Sequence, residues 1–320
     1  MKRKYWTIDE CLLLEKLTKQ GSMSFDEMTK CFAMRSRKSL IGQCYKMKLT
    51  NSFAHRKYTY NEQYWKTLTS QSAYYAGFVA ADGCIMKRGG ERDSYRFAVG
   101  IAEKDLMLLQ DFKKDLNYSG PILKSDKGQT LNTANGKSYV CQPTHRLSMQ
   151  VSNGWAKDLK YYWNIEPNKT NRLGPPNIHS QYLNLCYLIG FIDGDGCLAV
   201  DSEGKCMRFV FSSSSYQILN WIKEITDKYI NIGVRMRPRI VHSYTGKKNY
   251  SEFSIGGKPA LDLYCLLNSL SVQKLDRKWN NPKVLSFIEK FKLEKPDIYQ
   301  KILQNAENVK TKLSQIPNPV

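Results

Sequence analysis

Histidine is scarce in this chain, with four among 320 residues, and acidic residues are heavily outnumbered. None of the histidines sits at a zinc-like spacing to a cysteine. The nine cysteines are scattered without a Cys-x-x-Cys pair, which argues against a zinc finger or a thioredoxin-like redox centre. They read instead as reduced thiols used as small core residues. No apolar run approaches the roughly 20 residues that span a bilayer, so no membrane partner is expected. The basic start, Met1-Lys2-Arg3-Lys4-Tyr5-Trp6, lacks the apolar stretch of a secretory signal, and the expectation is a soluble, intracellular protein. No P-loop is present, which removes helicase- and polymerase-like use of nucleotides. Asp and Glu number 29 against 49 Lys and Arg, giving +20 and a pI near 9.5. An excess of this size favours a polyanion as partner. The hydrophobic fraction of 42% and the length allow two or three small domains with real cores.

Residues 1–50 read as three short helices. Thr7-Ile8-Asp9-Glu10 and Ser24-Phe25-Asp26-Glu27 are capping boxes, and Leu12, Leu13, Leu14 and Leu17 supply an apolar stripe after the first. A third helix is expected from about Ser36 to Met47, with Arg35, Arg37 and Lys38 at its start. Trp6-Thr7, Glu10 and the Arg-Ser-rich third helix resemble Myb/SANT-like domains, a resemblance that implies a helix-turn-helix DNA reader using those three basic residues. The alternative is a helical cap with a solvated basic face. Residues 51–70 are polar and aromatic, and serve equally as a linker along DNA or as a strap packed on the next domain.

What the chain does possess is one motif twice. Tyr75-Ala76-Gly77-Phe78-Val79-Ala80-Ala81-Asp82-Gly83 recurs as Leu188-Ile189-Gly190-Phe191-Ile192-Asp193-Gly194-Asp195-Gly196. Gly77 and Ala81, like Gly190 and Gly194, place small residues one turn apart, so that two helix backbones can pack closely through these four positions. Both C-termini would then point the same way, bringing Asp82 and Asp195 together. Two such carboxylates repel unless a cation joins them, and Mg²⁺ takes carboxylate and water oxygens while leaving room for phosphate. Around each motif the apolar and polar periods give one order, α-β-β-α-β-β-α, over residues 71–176 and again over 181–292, with 293–320 as a peripheral helix and loose tail.

The doubled motif resembles that of LAGLIDADG homing endonucleases in their single-chain, two-repeat form. The second copy matches closely, and the first departs at its sixth position, where Ala80 stands opposite Asp193. The resemblance implies an α+β fold of two pseudo-twofold αββαββα repeats, whose antiparallel sheets form a DNA-binding saddle. It also implies a monomer that cuts both strands of a long, asymmetric double-stranded DNA target and leaves 3′ overhangs. The metal would be Mg²⁺, with Mn²⁺ able to substitute, held by Asp82 and Asp195 with the backbone of Gly83 and Gly196. The expected setting is cytoplasmic and nucleoid-associated, in a bacterial or phage host, with an organelle as the alternative. A basic residue after the last helix of each copy is implied near the scissile phosphates. Lys169 and Lys274 align there, as do Arg172 and Arg277, with Glu103-Lys104 and Ser213-Ser214 as weaker candidates. The competing reading is a regulator or RNA maturase that keeps the fold without cutting. Such a protein is expected to lose an acid, and both are present.

The expected DNA-facing residues come from strands of the repeat. Arg235, Arg237 and Arg239 alternate along one strand, and Lys247 and Lys248 sit in the adjoining turn. Arg96, Arg146 and Arg208 belong to the other strands. An arginine-lined sheet face can reach phosphates and guanine edges.

Overall fold

The computed structural model describes residues 5–20, 23–32, 34–49, 58–87, 94–125, 130–132, 138–140, 143–230, 237–243 and 246–315. At the N-terminus, α1 (Ile8–Gln20), α2 (Phe25–Thr29) and α3 (Arg37–Lys46) enclose their own small core of Leu14, Phe25, Met28, Phe32, Leu40 and Cys44. Both capping boxes form. Ser24 Oγ accepts from the Glu27 amide at 3.2 Å while Glu27 accepts from the Ser24 amide at 2.7 Å, and Thr7 and Glu10 make the same exchange. Each such cap is worth about 1 kcal/mol.

Arg35 corrects the expectation that it reads DNA. Its guanidinium donates to Glu10 at 2.6 and 2.9 Å and to the Tyr5 carbonyl at 2.6 Å, and lies 4.5 Å above the Trp6 ring. Only 6% of the side chain is exposed, so it is a clamp between the start of α1 and the start of α3. The same guanidinium pulls the Glu10 carboxyl down to about 2. Arg37 pairs with Asp26 at 3.2 Å and remains half-exposed, and Lys38 is exposed.

The aromatic segment before the first motif is a strap. Tyr60, Tyr64 and Trp65 are buried in the main core. Tyr64 donates to Asp115 at 2.7 Å, and the Trp163 indole donates to the Trp65 carbonyl at 2.8 Å. The first copy then runs α4 (Ser70–Asp82), β1 (Gly83–Lys87), β2 (Tyr95–Ala102), α5 (Leu106–Asp115), β3 (Ile122–Ser125), β4 (Thr130–Asn132), β5 (Ser138–Val140), β6 (Thr144–Val151) and α6 (Asn153–Trp163). The second runs α7 (Gln181–Gly194), β7 (Cys197–Val200), β8 (Met207–Ser213), α8 (Tyr216–Ile230), β9 (Arg237–Ser243), β10 (Gly246–Gly256) and α9 (Lys258–Ser269). Each copy makes one four-stranded antiparallel sheet, ordered β1-β2-β6-β3 and β7-β8-β10-β9, and β4-β5 is a separate ribbon inserted in the first copy.

Alternation sets the faces. Along β6, His145, Leu147, Met149 and Val151 point inward while Thr144, Arg146 and Gln150 are exposed. Arg96 on β2 and Arg208 on β8 share this outward orientation. Arg237 and Arg239 lie in β9, opposite Glu252 and Tyr250. Lys247 and Lys248 belong to β10, opposite His242 and Val241, rather than to a turn. Arg235 lies outside the described residues.

Beyond α9 come α10 (Asp276–Trp279), α11 (Pro282–Glu294) and α12 (Pro296–Gln315). The helix expected in this segment is α12, which packs on α9 with Ile302, Ala306 and Leu313 buried in the main core, while the expected tail, residues 316–320, lies outside the described residues. Among the described residues no helix is long and apolar enough to cross a membrane.

The two copies meet through α4 and α7. A Cβ built on Gly77 would strike the Tyr187 carbonyl oxygen, with its carbon at 2.8 Å and the Phe191 nitrogen at 2.9 Å. One built on Gly190 would strike the Tyr74 carbonyl in the same way, with the Phe78 nitrogen at 2.9 Å. The contacts are reciprocal, so Tyr74 and Tyr187 are counterparts, as are positions 80 and 193.

That correspondence exposes an imbalance. Buried Asp193 accepts from the Tyr74 hydroxyl, the Leu275 amide and the Trp279 indole, each at 2.7 Å. Burial still raises its pKa. Opposite it stands Ala80, and the buried Tyr187 hydroxyl has no hydrogen-bond partner among the described residues. Tyr74→Phe should therefore cost about 1–3 kcal/mol, because Asp193 loses a donor, whereas Tyr187→Phe should be neutral or stabilising. Denaturant titration of the two variants measures the difference, and equal losses would refute the asymmetry.

Candidate functional site

Asp82 is the last residue of α4, and Asp195 caps α7. After each, a glycine turns the chain tightly against the preceding helical turn. A Cβ on Gly83 would lie 2.9 Å from Val79 Cα, and one on Gly196 would lie 2.6 Å from Ile192 Cα. This contact, together with small residues at the helix interface, explains why Asp-Gly follows the helix in both copies. The Asp82 carboxylate reaches across towards α7, where a Cβ on Gly194 would meet its Oδ2 at 3.3 Å and would clash with Ala81 Cβ. All four positions expected at the interface, Gly77, Ala81, Gly190 and Gly194, thus lie at the α4–α7 contact.

The two acids are both exposed to solvent, yet they share one electrostatically loaded space crowded by the two helix ends. Burial, and then the charge of Asp195, pushes the Asp82 carboxyl up to about 6, against the pull of Lys278, Lys169 and Arg277. Burial also raises Asp195, opposed by Lys169 and Lys278. The Lys169 ammonium donates to the carbonyls of Ala80 and Ala81, the latter at 3.2 Å. Lys278 donates to the carbonyls of Ile192 at 2.7 Å, Gly194 at 3.1 Å and Gly196 at 2.7 Å. Each lysine therefore satisfies the unpaired carbonyls at one motif-helix C-terminus, a favourable place for a cation. Burial lowers the pKa of both ammonium groups while the acids raise it.

These bonds correct the pairing of Lys169 with Lys274. Lys274 donates to Leu270 at 2.7 Å and Val272 at 3.3 Å and sits beside Cys186 and Asp193, inside the second copy. Lys278 occupies the place equivalent to Lys169. Arg172 is likewise no counterpart of Arg277, since it donates to the Pro167 carbonyl at 2.8 Å and pairs with Glu166. The Gly196 carbonyl, expected to face a metal, is engaged by the Lys278 ammonium, whereas Gly83 begins β1 opposite Val99.

Two clefts flank the acids, and each draws on both copies. The first is lined by Asp82, Cys84, Asp105, His145, Arg146 and, from the second copy, Arg277. The second combines Lys169 and Thr170 of the first copy with Asp195, Ser213, Ser214 and Tyr250 of the second. Sequence reasoning did not single out Lys278, Asp105, His145 or Tyr250. For Lys278 a signal existed, since both lysines lie in the first short helical turn after the last helix of their copy.

Solved structures of LAGLIDADG homing endonucleases are similar to this chain. The I-LtrWI LAGLIDADG homing endonuclease bound to target DNA shares 13% identity at a TM-score of 0.39, over 81% of this chain and 100% of that one. The homing endonuclease I-WcaI bound to its DNA recognition sequence shares 14% at 0.42, over 68% and 91% respectively. A mesophilic variant from the homing endonuclease I-DmoI shares 17% at 0.36, over 64% and 98%. No protein-family model and no curated relative matches the chain. At TM-scores below 0.5 the likeness assigns no role to any residue here.

The donor set suits a hard cation. Among the described residues there is no cluster of three or more His, Cys, Asp and Glu side chains placed to hold a metal. What the site offers is two carboxylates of raised proton affinity at the meeting of two helix ends. That matches Mg²⁺ or Mn²⁺, which keep water and phosphate oxygens in their shell, and does not match zinc.

Proposed function

We propose that the protein is a site-specific endonuclease that hydrolyses both strands of duplex DNA with Mg²⁺, leaving 3′ overhangs. The observation that carries this reading is the convergence of Asp82 and Asp195, one from each copy, at the same end of the α4–α7 interface, with a lysine beside each. One acid per copy suits one phosphodiester per strand. The exposed arginines of the two sheets, Arg96, Arg146 and Arg208, neutralise backbone phosphates, and the β4-β5 ribbon present only in the first copy makes the two copies unlike, which suits an asymmetric target read by one chain. The N-terminal three-helix unit lengthens the footprint through the exposed residues of α3, Lys38 among them, while Arg35 holds that unit together.

In the site, Asp82 and Asp195 would hold the cation, which when bound would supply activation of water and charge neutralisation at the leaving 3′-oxygen. Lys169 and Lys278 keep the carboxylates ionised beside one another and fix both helix ends, so the geometry is set before DNA arrives. The ammonium groups also add positive potential where charge develops on the phosphate.

A randomised duplex library incubated with protein and Mg²⁺ tests the reading. Sequencing of the ends should show a discrete site with staggered 3′ extensions, and EDTA should abolish it. Cutting that survives EDTA, or ends spread without sequence preference, would overturn it. Binding to the selected site should fall steeply with salt as condensed counterions are released.

A further inference from the structure

The two clefts differ in chemistry. Arg277 lines the first, and its Nε donates to both Asp105 oxygens at 2.8 Å. Asp105 is 6% exposed and belongs to the other copy, so this bond crosses the interface and fixes the guanidinium plane. The terminal guanidinium nitrogens have no partner among the described residues, and the side chain is 40% exposed. An arginine tied by Nε, with its outer N–H groups directed into a cleft beside an acid, is preorganised for a phosphate oxygen.

The segment that carries it is also pinned. Asp193 accepts from the Leu275 amide and the Trp279 indole on either side of Arg277 and Lys278. In the first copy, Ala80 replaces that acid. Because Lys169 and Lys278 are counterparts, the counterpart of Arg277 is Asn168, an exposed residue in left-handed conformation (φ 59°). It does not line the second cleft, which holds Lys169, Thr170 and serine hydroxyls but no arginine among the described residues. Where Asp105 reaches across to Arg277, the residue before α8, Ser215, reaches across only to the Leu173 carbonyl at 2.7 Å.

We propose that Arg277 contacts the scissile phosphate of one strand only, so that the cleft containing Asp82 cuts first and the duplex passes through a nicked state. This rests on the endonuclease reading above. At that phosphate, water forms the new P–O bond and the P–O3′ bond breaks. The products are a 5′-phosphate and a 3′-hydroxyl, the latter taking up a proton equivalent to the one that water releases. Arg277 offsets charge on the equatorial oxygens as it develops. Asp105 is a positioning residue, acting through the guanidinium.

The test uses the duplex selected from the library, labelled on each strand, in single-turnover reactions with Mg²⁺. Arg277→Gln should slow one strand by about a hundredfold, the scale of a lost preorganised donor, and leave the other within a few-fold. Arg277→Lys should recover part of the loss on that same strand, and Asp105→Asn should slow it by about tenfold. A second readout needs no cleavage. In EDTA, single methylphosphonate substitutions are scanned along each strand, and one on the first-cut strand should weaken wild-type binding but not binding by Arg277→Gln. Equal slowing of both strands, no slowing, or identical methylphosphonate profiles for the two proteins would overturn the proposal. Wild-type protein that never cuts would overturn the endonuclease reading, while the same scan on a duplex selected from the library by binding in EDTA would still report whether Arg277 touches a single phosphate.

Discussion

Gly190→Ala is expected to destabilise the protein by about 3 kcal/mol or more, and Gly77→Ala by a similar amount. The added methyl group has nowhere to go. On each side it meets the backbone of the opposite helix, the Tyr74 or Tyr187 carbonyl, and neither can swing aside as a flexible side chain would. The helices must separate, and all that packs around them separates too. Gly42→Ala is the internal control. Nothing lies within 4 Å of its would-be Cβ on α3, so there the usual gain in helix propensity, up to about 1 kcal/mol, should appear. Chemical denaturation of the three variants measures the contrast. A Gly190→Ala protein within 1 kcal/mol of wild type, on the order of a surface substitution, would mean that the helix backbones are not in contact.

Asp82→Asn should make the metal-free protein more stable at neutral pH while removing its cutting activity. The Asp82 carboxyl is pushed up to about 6 by burial and by the neighbouring charge of Asp195. Between about pH 4 and pH 6 the unfolded chain releases this proton before the folded one does, so wild-type stability falls as pH rises through that window. Above pH 6 the contribution is constant and unfavourable. The amide removes the charge, and because Asp82 is exposed to solvent, which screens that charge, the gain is at most about 1 kcal/mol at pH 8 and vanishes below pH 4. Asp195, raised in the same direction, adds to the slope. Thermal melts in EDTA across pH 3–8 follow it, and a wild-type protein that grows more stable from pH 4 to 6 relative to Asp82→Asn would contradict the raised proton affinity of this carboxyl. A functional acid that costs stability until a cation and substrate arrive is an expected trade-off.

Much of this arrangement was legible in the sequence because it rests on local rules. The small residues at Gly77, Ala81, Gly190 and Gly194, the capping boxes, and the alternation along β2, β6 and β8 each have a short-range physical cause. The αββαββα order followed from their periods. The residues that were missed depend on tertiary placement. Arg35 looked like one more exposed cation until the fold put Trp6 beneath it and Glu10 beside it. Lys274 and Lys278 lie one helical turn apart, and which of them reaches the acids is decided by Asp193, which anchors Leu275 and Trp279 and so sets the path between them. The pairing of Asp105 with Arg277 crosses 172 positions and two copies, beyond any local pattern. The C-terminal helix was expected but as a peripheral one, because its polar composition hid the stripe of Ile302, Ala306, Val309 and Leu313, at four-three-four spacing, by which it packs on the core. Ser213 and Ser214 of the second cleft were already candidates, whereas Tyr250 becomes meaningful only when β10 meets the first copy.

The measurement that addresses the composite site most directly is single-turnover cleavage of the selected duplex, in Mg²⁺, by Asp82→Asn, Asp195→Asn and the double variant, with binding measured in parallel. If the two acids act as a unit, each single variant should lose double-strand cutting by about a thousandfold or more, close to the loss in the double variant, while affinity for the duplex stays near that of wild type. A single variant that still cuts both strands at the wild-type rate would contradict it.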